Sequence, residues 1–283
     1  MIWRIHVLSF LVVCWIFSLY QGKAQAPGVT VISWNIRDFG QSRNNEEITR
    51  IATLVHHADI VAIQEVVAGH PGGAQAVGKL AEALERLGND WDYRISDPTR
   101  SPNPHVRERY AFLWKPDRVI LQGRPYLMTE VDPEVHREPY IGIFQAVNGS
   151  LTILNYHSRT HEDEREVEME EIAAITQQLK QFEPSDILWL GDFNLSQQHP
   201  AFLAVKKLGY RPLFSEQKTT LKTTCKDGNY LSSEEDNIFY KPHQLKVLST
   251  DVVDFMRNKD CHTLAQWRKI YSDHLPLEVR LGR

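Results

Sequence analysis

Apolar residues in this chain alternate between short unbroken runs and helical spacing. Val29–Ser33 is a β-branched apolar run that predicts a strand. Over 44–57, Ile48, Ile51, Ala52 and Val55 share one helical face, and Asn44 with Glu47 can form a capping box at its start. Asp59–Ile63 is too short and too apolar to extend that helix and predicts a buried strand. Val77, Leu80, Leu84 and Leu87 mark a second helix closed by Gly88. Strands are predicted at 91–95, 109–115, 118–122, 141–147 and 151–157. An amphipathic helix follows over 163–182, with Met169, Ile172, Ile175, Leu179 and Phe182 inward and an acidic first turn suited to the helix dipole. Ile187–Leu190 predicts a buried strand, 200–208 a short helix, and 237–240, 245–252 and 276–281 closing strands. Many strands with interspersed helices predict an α/β (α+β) chain of two packed sheets with helices outside.

The N-terminus breaks this pattern. Met1–His6 carries Arg4, Val7–Leu19 is an apolar run of 13 residues, and Ala24-Gln25-Ala26 is an A-x-A cleavage site. A membrane span needs ~20 apolar residues, so residues 1–26 predict a cleaved secretory signal. Cys14 lies inside the apolar run, not at a lipoprotein site. Residues 27–283 show no repeat, low-complexity tract or flexible linker and read as a single domain, exported to the periplasm or secreted, with no membrane contact and monomeric. Without Arg4 and Lys23 the chain keeps 30 basic against 36 acidic residues, a net charge of −6. That excludes a broad basic nucleic-acid coat but not a local basic groove, and it predicts weak, salt-sensitive association with any polyanion. Cys225 and Cys261 remain; an oxidising compartment permits one disulfide between them, and neither has metal-cluster spacing.

Polar residues follow the apolar strands at Trp34-Asn35, Gln64-Glu65, His157-Ser158, Gly191-Asp192-Phe193-Asn194 and Ser272-Asp273-His274. Each has a structural reading alone: Asp192-x-Asn194 as turn chemistry, Glu65 as a solvated strand end, His157 as a satisfied core histidine. Together they supply hard oxygen donors from Asn35, Glu65, Asp192, Asn194 and Asp273, and imidazoles from His157 and His274. Oxygen donors without thiolates favour Mg²⁺, Mn²⁺ or Ca²⁺ over zinc.

In their order and spacing these segments resemble the endonuclease/exonuclease/phosphatase superfamily, and within it the deoxyribonuclease I branch. The resemblance rests on Ser33-Trp34-Asn35, Ile63-Gln64-Glu65-Val66, Ala76–Leu80, Arg107-Glu108-Arg109-Tyr110, Arg137-Glu138-Pro139, His157-Ser158, Gly191–Asn194, Asp236-Asn237-Ile238 and Ser272-Asp273-His274, from residue 33 to 274. It implies a four-layer sandwich of two mainly antiparallel sheets flanked by helices, and metal-dependent hydrolysis of DNA phosphodiesters with little sequence specificity, leaving 5′-phosphates. Glu65 would hold the cation with help from Asn35 and Asp273. Asn194 and Arg137 would contact phosphate, and Asp192 would bind metal or position water. Asp236 would orient His274 as base and Glu108 would orient His157 as acid, with the reverse order open. The cation would be Mg²⁺, with Mn²⁺ an alternative and Ca²⁺ a structural option.

Two departures bear on the substrate. Val67 and Val106 stand where the branch places a groove-reading arginine and tyrosine, which leaves double-stranded DNA, single strands and RNA open. The family's bridge begins just after its Gly-Asp-Phe-Asn segment, where this chain has Ser196 and Gln197. The alternatives are a phosphoesterase of the sphingomyelinase or phosphoinositide phosphatase type, and a non-enzymatic, toxin-like member.

Overall fold

The computed structural model describes residues 28–283, apart from 104–105, 134, 147–148 and 160–164. The expected export signal lies outside the described residues, as does the acidic start of the 163–182 helix. In chain order the elements are β1 (Gly28–Phe39), α1 (Asn45–Val55), β2 (Ile60–Val67), α2 (Gly72–Glu85), β3 (Asp92–Ile95), β4 (Glu108–Trp114), β5 (Val119–Leu121), β6 (Tyr126–Leu127), β7 (Tyr140–Ala146) and β8 (Gly149–His157). They continue with α3 (Arg165–Gln178), β9 (Asp186–Asp192), α4 (Leu203–Lys207), β10 (Arg211–Pro212), β11 (Leu221–Lys226), β12 (Asn229–Leu231), β13 (Asp236–Lys241), β14 (Lys246–Val252), α5 (Leu264–Ile270) and β15 (Leu277–Gly282).

Two mixed sheets form the sandwich, one in the order β14-β15-β1-β2-β4-β3 and one in the order β10-β13-β9-β8-β7-β5. Each contains one parallel pair, β1 with β2 and β8 with β9, flanked by antiparallel neighbours. In β9 the period-2 alternation explains the unbroken apolar run: Leu188 and Leu190 enter the core between the sheets, while Ile187 and Trp189 face the cluster under α3 and α4. A strand buried on both faces has no polar side to show. Ile172, Ile175 and Leu179 bury against that outer face as predicted, but Met169 is exposed and the last turn tightens to a 3₁₀ helix from Leu179 to Phe182. The two sheets are also joined by polar groups. Gln64 Nε2 donates to Asn155 Oδ1 at 2.6 Å, and Asn155 Nδ2 to the Ile63 carbonyl at 3.0 Å, all fully buried.

Several expected bounds change. The capping box at α1 forms, with Glu47 N–H donating to Asn44 Oδ1 at 2.9 Å. β1 runs past Ser33 to Phe39 and so carries Asn35 on the strand. α2 begins at Gly72 and ends at Glu85, leaving Leu87 exposed beyond it. The β11–β12 hairpin and α5 have no counterpart in the predicted elements. The hairpin turn is Asp227-Gly228, both left-handed, the signature of a tight type I′ turn. Cys225 and Cys261 are bonded, tying β11 to the 3₁₀ turn before α5.

Candidate active site

Strand direction gathers the polar residues at one rim. β1, β2, β8 and β9 end there, while the antiparallel β4 and β13 begin there. His157 pairs with Asp192 and Asp236 pairs with Asp192 in register, and Glu108 lies opposite Val67 on β2. Gly191 permits this convergence. Its φ is +136°, and a Cβ there would lie 1.7 Å from the Tyr156 carbonyl oxygen, so only glycine lets β8 and β9 approach just before Asp192. Left-handed backbone also marks Asp38, Glu65 and Asn194. Asn and Asp tolerate it; Glu65 does so at a β-bulge, where such strain costs ~1–3 kcal/mol and turns the carboxylate out of the strand.

An open cavity of about 480 Å³ lies over this rim, and Glu65, Glu108, Arg137, His157, Asp192, Asn194, Asp273 and His274 all line it. Two carboxylate–imidazole pairs face each other there. Glu108 Oε2 is 2.8 Å from His157 Nδ1, and Asp236 Oδ2 is 2.9 Å from His274 Nδ1. The free Nε2 atoms of both rings lie 3.6 Å from the same oxygen, Asp192 Oδ2. Burial alone would depress the His157 imidazolium, but Glu108 outweighs it and holds the ring above its ordinary range. Burial likewise opposes the His274 cation; Asp236 and then Asp192 overcome it and hold that ring well above its ordinary range. Burial pushes the Glu108 carboxyl up, and His157 and Arg137 together bring it below its usual value.

The remaining expected residues take distinct positions. Asn35 Nδ2 donates to Glu65 Oε1 at 2.9 Å and to Asp192 Oδ2 at 3.0 Å. Its Oδ1 is buried without a partner among the described residues. An orphaned acceptor beside two carboxylates is a donor set that fits a hard cation. Asp273 lines the same cavity, but its Oδ2 is shared by Arg37 at 2.7 Å and Arg268 at 3.1 Å. It stands as an arginine-paired carboxylate on the wall of the cavity that Glu65 also lines. Glu138 holds Arg100, while Arg137 lies 3.5 Å from Glu108 and donates to the Ser158 carbonyl at 2.9 Å. Asn194 N–H donates to Asp192 Oδ1 at 2.9 Å, fixing that carboxylate.

Four residues at the site were not foreseen from sequence. Arg37 and Arg268 clamp Asp273, Thr219 Oγ1 donates to Asp236 Oδ2 at 2.6 Å, and Glu235 joins Asp192 and His274 in a group of ligand atoms within 4.8 Å of one another that can hold a metal ion. Arg37 lies two residues beyond Asn35 on one strand and could have been found from that spacing. Thr219 comes from a loop 17 residues from its partner and carries no local signal.

A profile of the Endonuclease/Exonuclease/phosphatase family matches residues 32–274, the span from β1 to His274. The chain belongs to this family. Its curated relatives include a "Deoxyribonuclease" of Thioalkalivibrio sp. (strain K90mix), 27% identical over 91% of this chain and 72% of that protein. A "Deoxyribonuclease-1" of Canis lupus familiaris is 24% identical over 94% of this chain and 95% of that protein. Among solved structures, a mannosyl-6-phosphatase of Bacteroides thetaiotaomicron VPI-5482 superposes with a TM-score of 0.63 at 19% identity, covering 90% of this chain and 100% of its own. That likeness shows the fold alone. Within the family the chain is a hydrolase of phosphoester bonds, with a group of side chains able to bind a metal ion.

Proposed function

We propose that the protein is an exported, Mg²⁺- or Mn²⁺-dependent endonuclease that cleaves DNA with little sequence preference and leaves 5′-phosphate ends. One observation carries this reading: two buried imidazoles, each steered by its own carboxylate, flank a single carboxylate oxygen at the floor of one cavity. Hydrolysis of a diester needs a proton taken from water and a proton given to a poor leaving oxygen, and this arrangement supplies both. His274 accepts the water proton at Nε2 as the water oxygen attacks phosphorus. His157 donates its Nε2 proton to the leaving 3′ oxygen as the P–O bond breaks. Such groups contribute about 10²–10⁴-fold each. Asn194 and Arg137 contact the phosphate from the cavity wall. Glu65 and the unpaired Asn35 oxygen would hold the cation, with Asp273 beside them. When bound, the cation neutralises phosphate charge.

Support for the substrate comes from the deoxyribonuclease names of the curated relatives. The Cys225–Cys261 disulfide supports export, because such bonds persist in oxidising compartments. Among the described residues no helix is long and apolar enough to cross a membrane.

Plasmid nicking with Mg²⁺, Mn²⁺ or Ca²⁺ and with EDTA, followed by end-group analysis, tests the proposal. Expected are nicked circles with 5′-phosphates, abolished by EDTA. No nicking under any divalent cation, with phosphate released instead from a sugar phosphate, would replace the nuclease by a phosphomonoesterase. Matched double-stranded DNA, single-stranded DNA and RNA rank the substrates, the question left open by Val67 and Val106 at the cavity edge.

A further inference from the structure

Glu171 is a buried carboxylate that the proposed chemistry does not use. It sits on α3, 2% exposed, and accepts hydrogen bonds from three groups outside its own helix. Its Oε1 accepts from the His136 backbone N–H at 3.2 Å and from Arg159 Nε at 2.9 Å. Its Oε2 accepts from the Tyr156 hydroxyl at 3.2 Å. A buried charge is stable only where it is paired and hydrogen-bonded, and Arg159 is the pairing cation. Arg159 Nη1 also lies 2.8 Å from His136 Nδ1. A guanidinium has donors only, so the imidazole nitrogen accepts. Glu171, Arg159 and His136 therefore close a ring of contacts, and none of the three lines the catalytic cavity.

The ring holds the chain next to two cavity groups. His136 precedes Arg137, and Arg159 follows Ser158. Arg137 Nη1 donates to the Ser158 carbonyl at 2.9 Å, and Asn194 Nδ2 donates to the same carbonyl at 3.1 Å. The two side chains assigned to the phosphate therefore share one anchor, and the peptide that carries it is fixed from two sides. At the end of β9, Ser158 N–H donates to the Asp192 carbonyl at 2.9 Å and Ser158 Oγ to the Phe193 carbonyl at 2.6 Å. On the α3 side, Glu171 takes the Arg159 guanidinium. We propose that Glu171 is a positioning residue: acting through Arg159 and His136, it sets where Arg137 and the Ser158 carbonyl stand, and so how the phosphate is gripped. That consequence rests on the phosphate contacts proposed above, while the hold on the Arg137 segment does not.

Glu171→Gln keeps the size of the side chain but removes the charge opposite Arg159. Small misplacements of a substrate-holding group are costly, so kcat/KM for DNA cleavage is expected to fall at least about tenfold. Glu170→Gln, on the exposed neighbour, leaves it at the wild-type value. In an Arg137→Ala background, Glu171→Gln is expected to cost less than about threefold, because residues that act through one another are not additive. Amide hydrogen exchange is followed on the same proteins without DNA, and exchange over 135–139 is expected to quicken in Glu171→Gln. Arg159→Lys, which keeps the charge but loses the planar fork, reproduces both effects and serves if the first variant misfolds. Undiminished kcat/KM in the folded variants, the same loss with and without Arg137, or unchanged exchange over 135–139 overturns the proposal. Faster exchange there in a protein that never cleaves DNA upholds the hold of Glu171 on the Arg137 segment and refutes the nuclease reading instead.

Discussion

Glu108→Gln tests which way protons move. The substitution keeps the shape and an acceptor for His157 Nδ1–H but deletes the charge. Glu108 and His157 are both almost fully buried and 2.8 Å apart, with Arg137 3.5 Å from the same carboxylate oxygen. At an effective dielectric near 20, unit charges ~4 Å apart interact by about 4 kcal/mol. Each ~1.4 kcal/mol is a factor of ten in protonation, so the loss can cut the imidazolium population up to about a thousandfold. Burial and the Arg137 charge, which already oppose the cation, then face only the weaker pull of Asp192. The sign is definite. A proton donor that no longer holds its proton loses rate, so kcat at neutral pH falls by about 10²–10³-fold and the optimum moves to lower pH. A proton acceptor that holds its proton less tightly responds differently: neutral-pH kcat changes little through protonation, and the acid limb extends. Steady-state cleavage of a fluorescent duplex from pH 5 to 10, with a circular-dichroism check of the fold, separates the two. Retained kcat with an extended acid limb would refute His157 as the donor and exchange its role with His274.

The other predictions read different parts of the molecule. Because both imidazoles are held above their ordinary range, His274 the more strongly, the wild-type optimum falls alkaline of ~6.5, and pH–rate profiles check this. Thr219→Val removes the hydroxyl that donates to Asp236 at 2.6 Å, and kcat should drop roughly tenfold with KM nearly unchanged, the cost of one charged hydrogen bond. Breaking the Cys225–Cys261 bond, whose ends are 36 positions apart in sequence, should cost about 4 kcal/mol in urea unfolding, read as Cys225→Ser/Cys261→Ser against wild type. Gly191→Ala should lose more than ~3 kcal/mol or fail to fold, whereas Gly69→Ala, with open space at its Cβ, should melt like wild type.

What was legible in the sequence is what local chemistry encodes. Ile48, Ile51 and Val55 specify α1 because a helix brings them together whatever the tertiary context, and Asn44 with Glu47 starts it with no help from elsewhere. Asp192, His157 and Glu65 were readable because a polar residue at the end of a strand buried on both faces is costly unless a site uses it. What the sequence concealed depends on partners far along the chain. Asp273 looks like a free ligand until β1 delivers Arg37 and α5 delivers Arg268 to the same oxygen. The structure also shows how these hidden parts hold the visible ones. Thr219 and Leu221 bracket a backbone ladder to the His274 segment: Leu275 N–H donates to the Thr219 carbonyl at 2.9 Å, and Leu221 N–H to the Asp273 carbonyl at 2.7 Å. Arg268 donates to the Leu221 and Lys222 carbonyls as well as to Asp273. The disulfide fastens the end of β11 to the turn that leads into α5. The hairpin, the disulfide and Arg268 thus form one brace behind His274. The unforeseen hairpin and the unforeseen Arg268 join the disulfide, which the sequence permitted, in a single support for the His274 segment.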